Sequence, residues 1–78
     1  MAVCAYILIQ TEVGRARDVV EAVRRLDGVV EADDVIGPYD VIVKAESDSV
    51  DHLGKMVDHQ VSRIDGITRT LTCPVVNL

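Results

Sequence analysis

The spacing of apolar positions divides the chain into four strands and two helices. Residues 3–10 and 41–45 are apolar almost without interruption, which is typical of strands that are covered on both faces. Residues 15–26 place apolar side chains three and four positions apart, which predicts a helix with one buried side. A cap at residues 48–51 predicts a second helix that runs to about residue 64. Residues 29–36 and 67–76 are the two remaining strands.

Each helix has an apolar side that predicts which residues enter the core. In the first helix these residues are Ala16, Val19, Val20, Val23 and Leu26. In the second they are Val50, Leu53, Met56, Val57, Val61 and Ile64. Gly28 and Gly66 follow the two helices and suit the left-handed backbone that closes a helix.

The two junctions between helix and strand repeat one another. The segment RLDGV at 25–29 returns as RIDGI at 63–67, and the apolar positions of the two helices align at the same offset. This indicates a duplicated βαβ unit. Because each unit crosses over right-handed, two interleaved units give an α+β, ferredoxin-like βαββαβ fold. Its four-stranded antiparallel sheet is expected in the order 4-1-3-2, with both helices on one face.

One face of this sheet is left without a cover. The first and third strands are apolar on both faces, but the two helices can shield only one. The composition is 49% hydrophobic in 78 residues, and a chain of this length buries only about 60% of its unfolded surface. We therefore expect a homodimer in which two copies pack sheet to sheet.

The charge pattern argues against two classes of partner. A net charge of −5 offers no basic surface for nucleic acid. No apolar stretch is long enough to span a membrane, and the first residues lack the basic start of a signal peptide, so a cytoplasmic protein is expected. Cys4 and Cys73 have no metal-binding spacing and are expected to be reduced thiols. Because they fall near facing ends of neighbouring strands, a disulfide between them is geometrically conceivable.

The sequence offers little catalytic chemistry. His52 and His59 fall on the polar side of the second helix, where solvated histidines are the ordinary outcome. No glycine-rich phosphate loop and no hydrolase or metalloprotease motif occurs in the sequence. We expect no catalytic residue, no metal site and no cofactor.

The turn Gly37-Pro38-Tyr39-Asp40 is the first candidate binding site. Gly37 lets a ligand approach the backbone, Tyr39 supplies a wall with a polar tip, and Asp40 can accept a hydrogen bond from an ammonium group. The same residue types also suit an ordinary hairpin turn, in which Pro38 fixes one backbone angle and Asp40 bonds its own backbone. Both interpretations stay open from the residues alone.

A second candidate lies on the last strand. Thr68, Thr70 and Thr72 share one face by alternation, and their hydroxyls could hold a carboxylate or amide of a small ligand. Threonine is equally a favoured strand residue on a partly wet face.

In this order and spacing, several segments resemble the effector-binding domain of the Lrp/AsnC feast/famine transcription regulators, the RAM domain (regulation of amino-acid metabolism). The matching segments are the opening strand at 5–9, the turn residues Gly37, Tyr39 and Asp40, the helix end at 65–67, and the Thr68-Arg69-Thr70 run. The resemblance covers essentially the whole chain as one domain, residues 1–78.

The resemblance implies a dimer with α+β barrel-type packing, assembled further into octamer- or decamer-like rings. It also implies a small amino-acid effector held between neighbouring dimers. The implied ligand-binding residues are those of the turn and of the last strand: Gly37, Pro38, Tyr39, Asp40, Thr70 and Thr72. Pro38 stands where the family commonly has a polar or acidic residue, so it either removes a ligand contact or stiffens the turn.

Family members carry a DNA-binding helix-turn-helix, whereas this sequence opens directly on the first strand. We therefore expect a stand-alone, non-enzymatic binding domain with no direct contact to nucleic acid. It would act by joining full-length Lrp/AsnC-type regulators, or by sensing or buffering an amino acid.

Two other classes of protein remain open. A small dimeric α+β-barrel enzyme, such as a monooxygenase or an isomerase, shares the βαββαβ plan but places polar or aromatic groups in an internal cavity. This chain has no Trp, no Phe and one Asn, at position 77, so it offers little for such a site. The other alternative is a purely structural oligomerisation unit.

Overall fold

The computed structural model describes residues 2–76, which form the βαββαβ arrangement expected from the spacing. The elements are β1 Val3–Thr11, α1 Ala16–Val23, β2 Val29–Asp34, β3 Val41–Ser47, α2 Val50–His59, a 3-10 turn Val61–Arg63, and β4 Ile67–Pro74.

The four strands form one antiparallel sheet in the order β2-β3-β1-β4, which confirms the predicted topology. β1 lies at the centre, with Ile7 opposite Val43 on β3 and opposite Thr72 on β4. β2 and β4 are the two edges. The C-terminal end of β1 therefore lies beside the β2–β3 connection on one side and the start of β4 on the other.

The core lies between one face of the sheet and the two helices. Its buried residues are Ala5, Ile7, Ile9, Val19, Val20, Val23, Ala32, Val41, Val43, Ala45, Leu53, Val57 and Val61. Among residues 2–76, no polar or charged side chain is buried with them. The predicted inward residues Ala16, Leu26, Met56 and Ile64 pack at its margin. The fold is held together by aliphatic packing between the helices and a single face of the sheet.

The first helix is shorter than the sequence predicts. α1 ends at Val23, and residues 24–26 continue as turns rather than as helix. Gly28 adopts φ +90° in the turn that enters β2, five residues beyond the last helical residue. Its carbonyl accepts a hydrogen bond from the Glu46 amide at 2.7 Å. Gly28 thus brings the helix-to-strand turn against the end of β3, rather than closing the helix itself.

The second helix begins within the predicted cap but ends earlier than the sequence predicts. Ser49 is the N-cap, and its hydroxyl accepts a hydrogen bond from the His52 amide at 3.1 Å. The placement of Val50 in the core is wrong, since this first helical residue is 57% exposed. α2 stops at His59, and the 3-10 turn carries Val61 into the core. Tightening of the last turn replaces the longer α-helix that the periodicity suggested.

The repeated junctions have matching structures. Gly66 has φ +99°, close to that of Gly28, and its carbonyl accepts a hydrogen bond from the Glu12 amide at 2.8 Å. Arg15 secures this second junction, with its guanidinium 3.1 Å from the carboxylate of Asp65. Asp65 is the main cause of the raised pKa of Arg15, through the hydrogen bond and then through its charge. Each half of the chain therefore docks its helix end against a strand of the sheet.

The outer face of the sheet is open in this single chain. Its apolar side chains include Tyr6 at 43% exposure, Leu71 at 41% and Ile42 at 36%. Cys73 is exposed and Cys4 is partly buried, and both are free thiols. None of the helices in the described part of the chain is both long and apolar enough to span a membrane.

Candidate functional site

The connection between β2 and β3 forms one wall of a hollow on the outer face of the sheet. The hollow has a volume of about 520 Å³ and is lined by Leu8, Val35, Ile36, Gly37, Pro38, Tyr39 and Ile42. Leu8 and Ile42 form its floor, because they are opposite one another on the central strands β1 and β3. Apart from the Tyr39 hydroxyl, the lining side chains are apolar. Such a hollow suits an apolar group of a small ligand.

Backbone hydrogen bonds fix the shape of this connection. The Val35 amide donates to the carbonyl of Asp40, and the Asp40 amide donates to the carbonyl of Ile9, both at 2.9 Å. Gly37 has φ +151°, at the border of the region that only glycine enters readily. An added Cβ there would meet nothing within 4 Å, so the backbone at Gly37 faces open space. This openness fits the predicted role of Gly37 in admitting a ligand to the backbone.

Asp40 belongs to the same turn but does not line the hollow. Its carboxylate oxygen Oδ2 accepts a hydrogen bond from the backbone amide of Thr11 at 2.8 Å. Asp40 therefore ties the turn to the end of β1. One of its two carboxylate oxygens is committed to structure.

Gln10 makes a second tie between β1 and the turn. Its side-chain amide nitrogen Nε2 donates to the carbonyl of Pro38 at 3.1 Å. Pro38 itself lines the hollow, so Gln10 holds one of the hollow's walls in place. Gln10 is not among the site residues predicted from the sequence. The signal for it was available, because a polar residue two positions after Leu8 shares the outer face of β1 by alternation.

The two predicted threonines lie apart from the hollow. Thr72 is opposite Ile7 and Thr70 is opposite Ile9, and both of these isoleucines point into the core. The threonines are therefore on the face that the helices cover. Thr70 borders a smaller hollow of about 170 Å³, together with Ser62, Ile67, Thr68 and Arg69. Within one chain, the turn residues and the threonines flank the end of β1 but face opposite sides of the sheet.

Other chemistry-bearing side chains do not converge on a site. His52 is exposed, with its Nδ1 atom 4.0 Å from a carboxylate oxygen of Asp48, and His59 is exposed at the end of α2. Across residues 2–76, no three His, Cys, Asp or Glu side chains are grouped in a way that could hold a metal ion. Among the residues that the structure describes, the hollow at the turn is therefore the candidate site.

A four-stranded ferredoxin-like sheet with two helices, and with a ligand-sized apolar hollow beside a glycine-containing turn, defines a small domain of the α+β class. Comparison with known families shows which family of such domains the chain belongs to. Residues 4–77 match the model of the Lrp/AsnC ligand binding domain, and the chain belongs to this family. The comparison confirms the resemblance seen in the sequence. A search of the curated proteins finds no match.

Solved structures agree with this assignment. The hypothetical protein PHS023 from Pyrococcus horikoshii is 32% identical, with a TM-score of 0.88 over 100% of this chain and 93% of that chain. Escherichia coli AsnC is 26% identical, with a TM-score of 0.89 over 97% of this chain and 52% of AsnC. The chain thus corresponds to about half of AsnC.

A more distant neighbour is the transcriptional regulator NMB0573 from Neisseria meningitidis, solved as a complex with L-Met. It is 17% identical, with a TM-score of 0.85 over 96% of this chain and 50% of the regulator. At this identity the likeness concerns the fold alone.

Proposed function

We propose that this chain is a non-catalytic regulatory domain that binds an amino acid at the hollow beside the β2–β3 turn. The observation that carries the proposal is the hollow itself, a ligand-sized apolar surface with Gly37, Pro38 and Tyr39 on one wall. Volumes of about 300–1,000 Å³ are usual for sites that take small ligands. Polar groups of the same turn and of β1 border the hollow, so an amphipathic molecule fits it better than a purely apolar one.

Two further findings support an amino acid as the ligand. The family is defined by its ligand-binding domain, and this chain matches it from residue 4 to residue 77. One structural neighbour, the Neisseria regulator, is described in complex with L-Met. An amino acid also suits the site chemically, since it combines a charged backbone with a side chain that the hollow can enclose.

The proposal includes self-association of the domain. Tyr6, Ile42 and Leu71 leave an apolar surface on the outer face of the sheet, and a second copy is the partner with a matching surface. We propose a dimer packed through this face, with dimers assembled further into a ring. Because the hollow opens on the same face, a neighbouring copy packed there would complete its walls. Thr70 and Thr72 lie on the opposite face, so we propose that only a contact between dimers in the ring brings them near a ligand.

Catalysis is not part of the proposal. Enzymes that share this fold plan need polar groups in a cavity between sheet and helices. Here the space is filled by aliphatic side chains, and no polar side chain is buried in the described chain. We propose instead that ligand binding changes how this domain associates, either with copies of itself or with full-length Lrp/AsnC-type regulators.

The test is a binding screen on the purified chain. Each of the twenty L-amino acids is added separately, thermal stability is recorded, and every positive result is measured by titration calorimetry. A ligand that binds only the folded state raises the melting temperature by mass action. We expect one amino acid, or a few of related side chain, to give a clear shift.

A matched pair of variants then locates the site. Ile36→Asp places a charge in the hollow, whereas Val13→Asp places one in the β1–α1 loop, outside the lining residues. Both side chains are fully exposed, at 105% and 102%, so neither change disturbs the core of the chain. We expect Ile36→Asp to weaken binding at least tenfold and Val13→Asp to leave it unchanged. A uniformly flat screen, or equal binding by both variants, would contradict the proposal.

A further inference from the structure

Arg69 lies on the edge strand β4, next to the residue of β1 that holds one wall of the hollow. It is opposite Gln10 in the pairing of β1 with β4, so alternation places it on the outer face of the sheet with Gln10 and Leu8. Gln10 bonds to Pro38, and both Pro38 and Leu8 line the hollow. Arg69 is therefore on the strand next to Gln10, which holds a wall of the hollow, and Leu8, which forms part of its floor.

A local irregularity in the sheet falls at this position. Gln10 is opposite Arg69, but the next residue, Thr11, is opposite Ile67, so β4 carries one extra residue here. Bulges of this kind increase the local twist and change the direction of neighbouring side chains, and they are frequent next to binding sites. Arg69 is thus the last residue of the regular ladder between β4 and β1, and the extra residue, Thr68, lies directly beside it at the end of the sheet where the turn lies.

The charged groups of Asp40 and Arg69 differ in the hydrogen bonds that they already make. Asp40 already accepts a hydrogen bond from the Thr11 amide. Arg69 forms no ion pair and no side-chain hydrogen bond with any residue between 2 and 76, although its residue also borders the smaller hollow on the other side of β4. Of these two charged groups, the cation is the one with its full bonding capacity left for a ligand.

We propose that Arg69 binds the carboxylate of the effector while the hollow encloses its side chain. A guanidinium group binds a carboxylate through two parallel hydrogen bonds, which fixes orientation as well as affinity. Adjacent strands are about 4.8 Å apart, so a long arginine side chain on β4 can reach a ligand lying over β1 and β3. The site would then select amino acids with an apolar side chain and a free carboxylate, and Arg69 would be its specificity-determining residue.

This inference rests on the proposed function, and its test separates the two. The probes are L-methionine, L-leucine and L-phenylalanine, each compared with its carboxamide, which keeps the side chain and the ammonium group but lacks the negative charge. Binding is measured by calorimetry for the original chain and for Arg69→Gln, Arg69→Lys and Arg63→Gln. Arg63 is the matched control, an exposed arginine in the 3-10 turn that does not line the hollow.

We expect at least one of the three amino acids to bind the original chain at least tenfold more tightly than its amide. Arg69→Gln should lose most of this affinity and bind acid and amide equally. Arg69→Lys should recover part of the preference for the acid, because a lysine keeps the charge but not the fork of donors. Arg63→Gln should behave as the original chain does.

The contradicting results are equally distinct. Binding of an amino acid with the same affinity as its amide, or an unchanged preference for the acid in Arg69→Gln, would overturn the role of Arg69 and leave the proposed function standing. Binding confined to amino acids with polar side chains would overturn the assigned selectivity. Failure of the original chain to bind any of the twenty amino acids would contradict the proposed function, and the role of Arg69 with it.

Discussion

The carboxylate of Asp40 and the backbone amide of Thr11 are joined by a hydrogen bond of 2.8 Å between Oδ2 and N. Asp40 also donates its own amide to the carbonyl of Ile9, so this one residue closes the turn onto β1 at two points. Asp40 therefore stabilises the turn whether or not a ligand is bound. Its replacement must change the stability of the domain as well as its binding.

The first prediction concerns this bond. Asp40→Ala should lower the free energy of unfolding by roughly 2 kcal/mol, because it removes a charge-assisted hydrogen bond and leaves the Thr11 amide without its partner. Asp40→Asn keeps an acceptor oxygen and should lose less. Urea denaturation measures both, and Asp34→Ala, at the exposed end of β2, is the control and should be near neutral. Equal stability of Asp40→Ala and Asp34→Ala would contradict the structural role.

A second prediction distinguishes two glycines with positive φ. Gly14→Ala at φ +80° meets no atom within 4 Å and should cost only the backbone conformation, about 1 kcal/mol. Gly28→Ala at φ +90° would place its Cβ 2.8 Å from the carbonyl oxygen of Glu46, which is backbone and cannot rotate away. We expect its loss of stability to exceed that of Gly14→Ala by at least about 1 kcal/mol. Thermal or urea unfolding of the two variants side by side measures the difference.

The third prediction tests the buried side of α2. Leu53 is 1% exposed, so Leu53→Ala should destabilise the domain by about 3 kcal/mol through lost burial and the cavity left behind. Val50→Ala, three residues earlier, should change stability by less than about 0.5 kcal/mol. The measurement is again the free energy of unfolding in urea. A large loss of stability in Val50→Ala would contradict the exposed position of Val50 and favour the inward position that the periodicity predicts.

Arg15 gives a prediction about salt and pH. Its ion pairs with Asp65 at 3.1 Å and Asp18 at 3.4 Å are at the surface, so salt should screen them, and Arg15→Gln should reduce the salt dependence of the melting temperature. The pKa of Arg15 is raised by its partners, chiefly Asp65. Because the pKa of Arg15 is raised, its charge contributes its full stabilisation at every pH below the usual arginine range. This stabilisation is lost only as the pH rises beyond that range. The difference between Arg15→Gln and the original chain should therefore be the same at pH 7 and pH 9.

The fifth prediction addresses the open face of the sheet. Leu71→Asp introduces a charge on the apolar outer surface of the sheet and should convert the assembly to smaller species in light scattering. Val50→Asp is the matched control, since it adds the same charge to an exposed aliphatic position on α2. We expect the control to keep the mass of the original chain. If both variants and the original chain were monomers at micromolar concentration, dimerisation through this face would be refuted.

The fold followed closely from the sequence because local patterns and internal repetition point to the same topology. The repeated RLDGV and RIDGI segments occupy equivalent helix-to-strand turns, with Gly28 and Gly66 in nearly the same backbone conformation. The element boundaries were less accurate. Helix periodicity continued to Leu26 and Ile64, and both pack against the core, but they do so from turns that the apolar spacing cannot distinguish from helix.

Only part of the candidate site could be predicted from the sequence. The turn could be singled out because glycine, proline, tyrosine and aspartate stand together between two strands. Alternation places Gln10 on the outer face of β1, but its bond to Pro38 joins positions 28 residues apart and could not be predicted. The position of Arg69 opposite Gln10 depends on the strand register and on an extra residue in β4. The sequence also could not show that Asp40 is already engaged by Thr11, since that bond joins positions 29 residues apart.

The guanidinium group of Arg24 has a consequence for growth of the sheet. Its Nη2 and Nε atoms donate to the Ala32 carbonyl at 2.7 and 3.0 Å, on the edge strand β2, and Nη2 lies 3.6 Å from the Asp33 carboxylate. Continued addition of molecules edge to edge needs an open strand at both edges of the sheet. Arg24 engages the Ala32 carbonyl, and Glu31, Asp33 and Asp34 add negative charge along β2, so this edge is a poor template for a further strand. Growth of fibres by strand addition at β2 is therefore disfavoured.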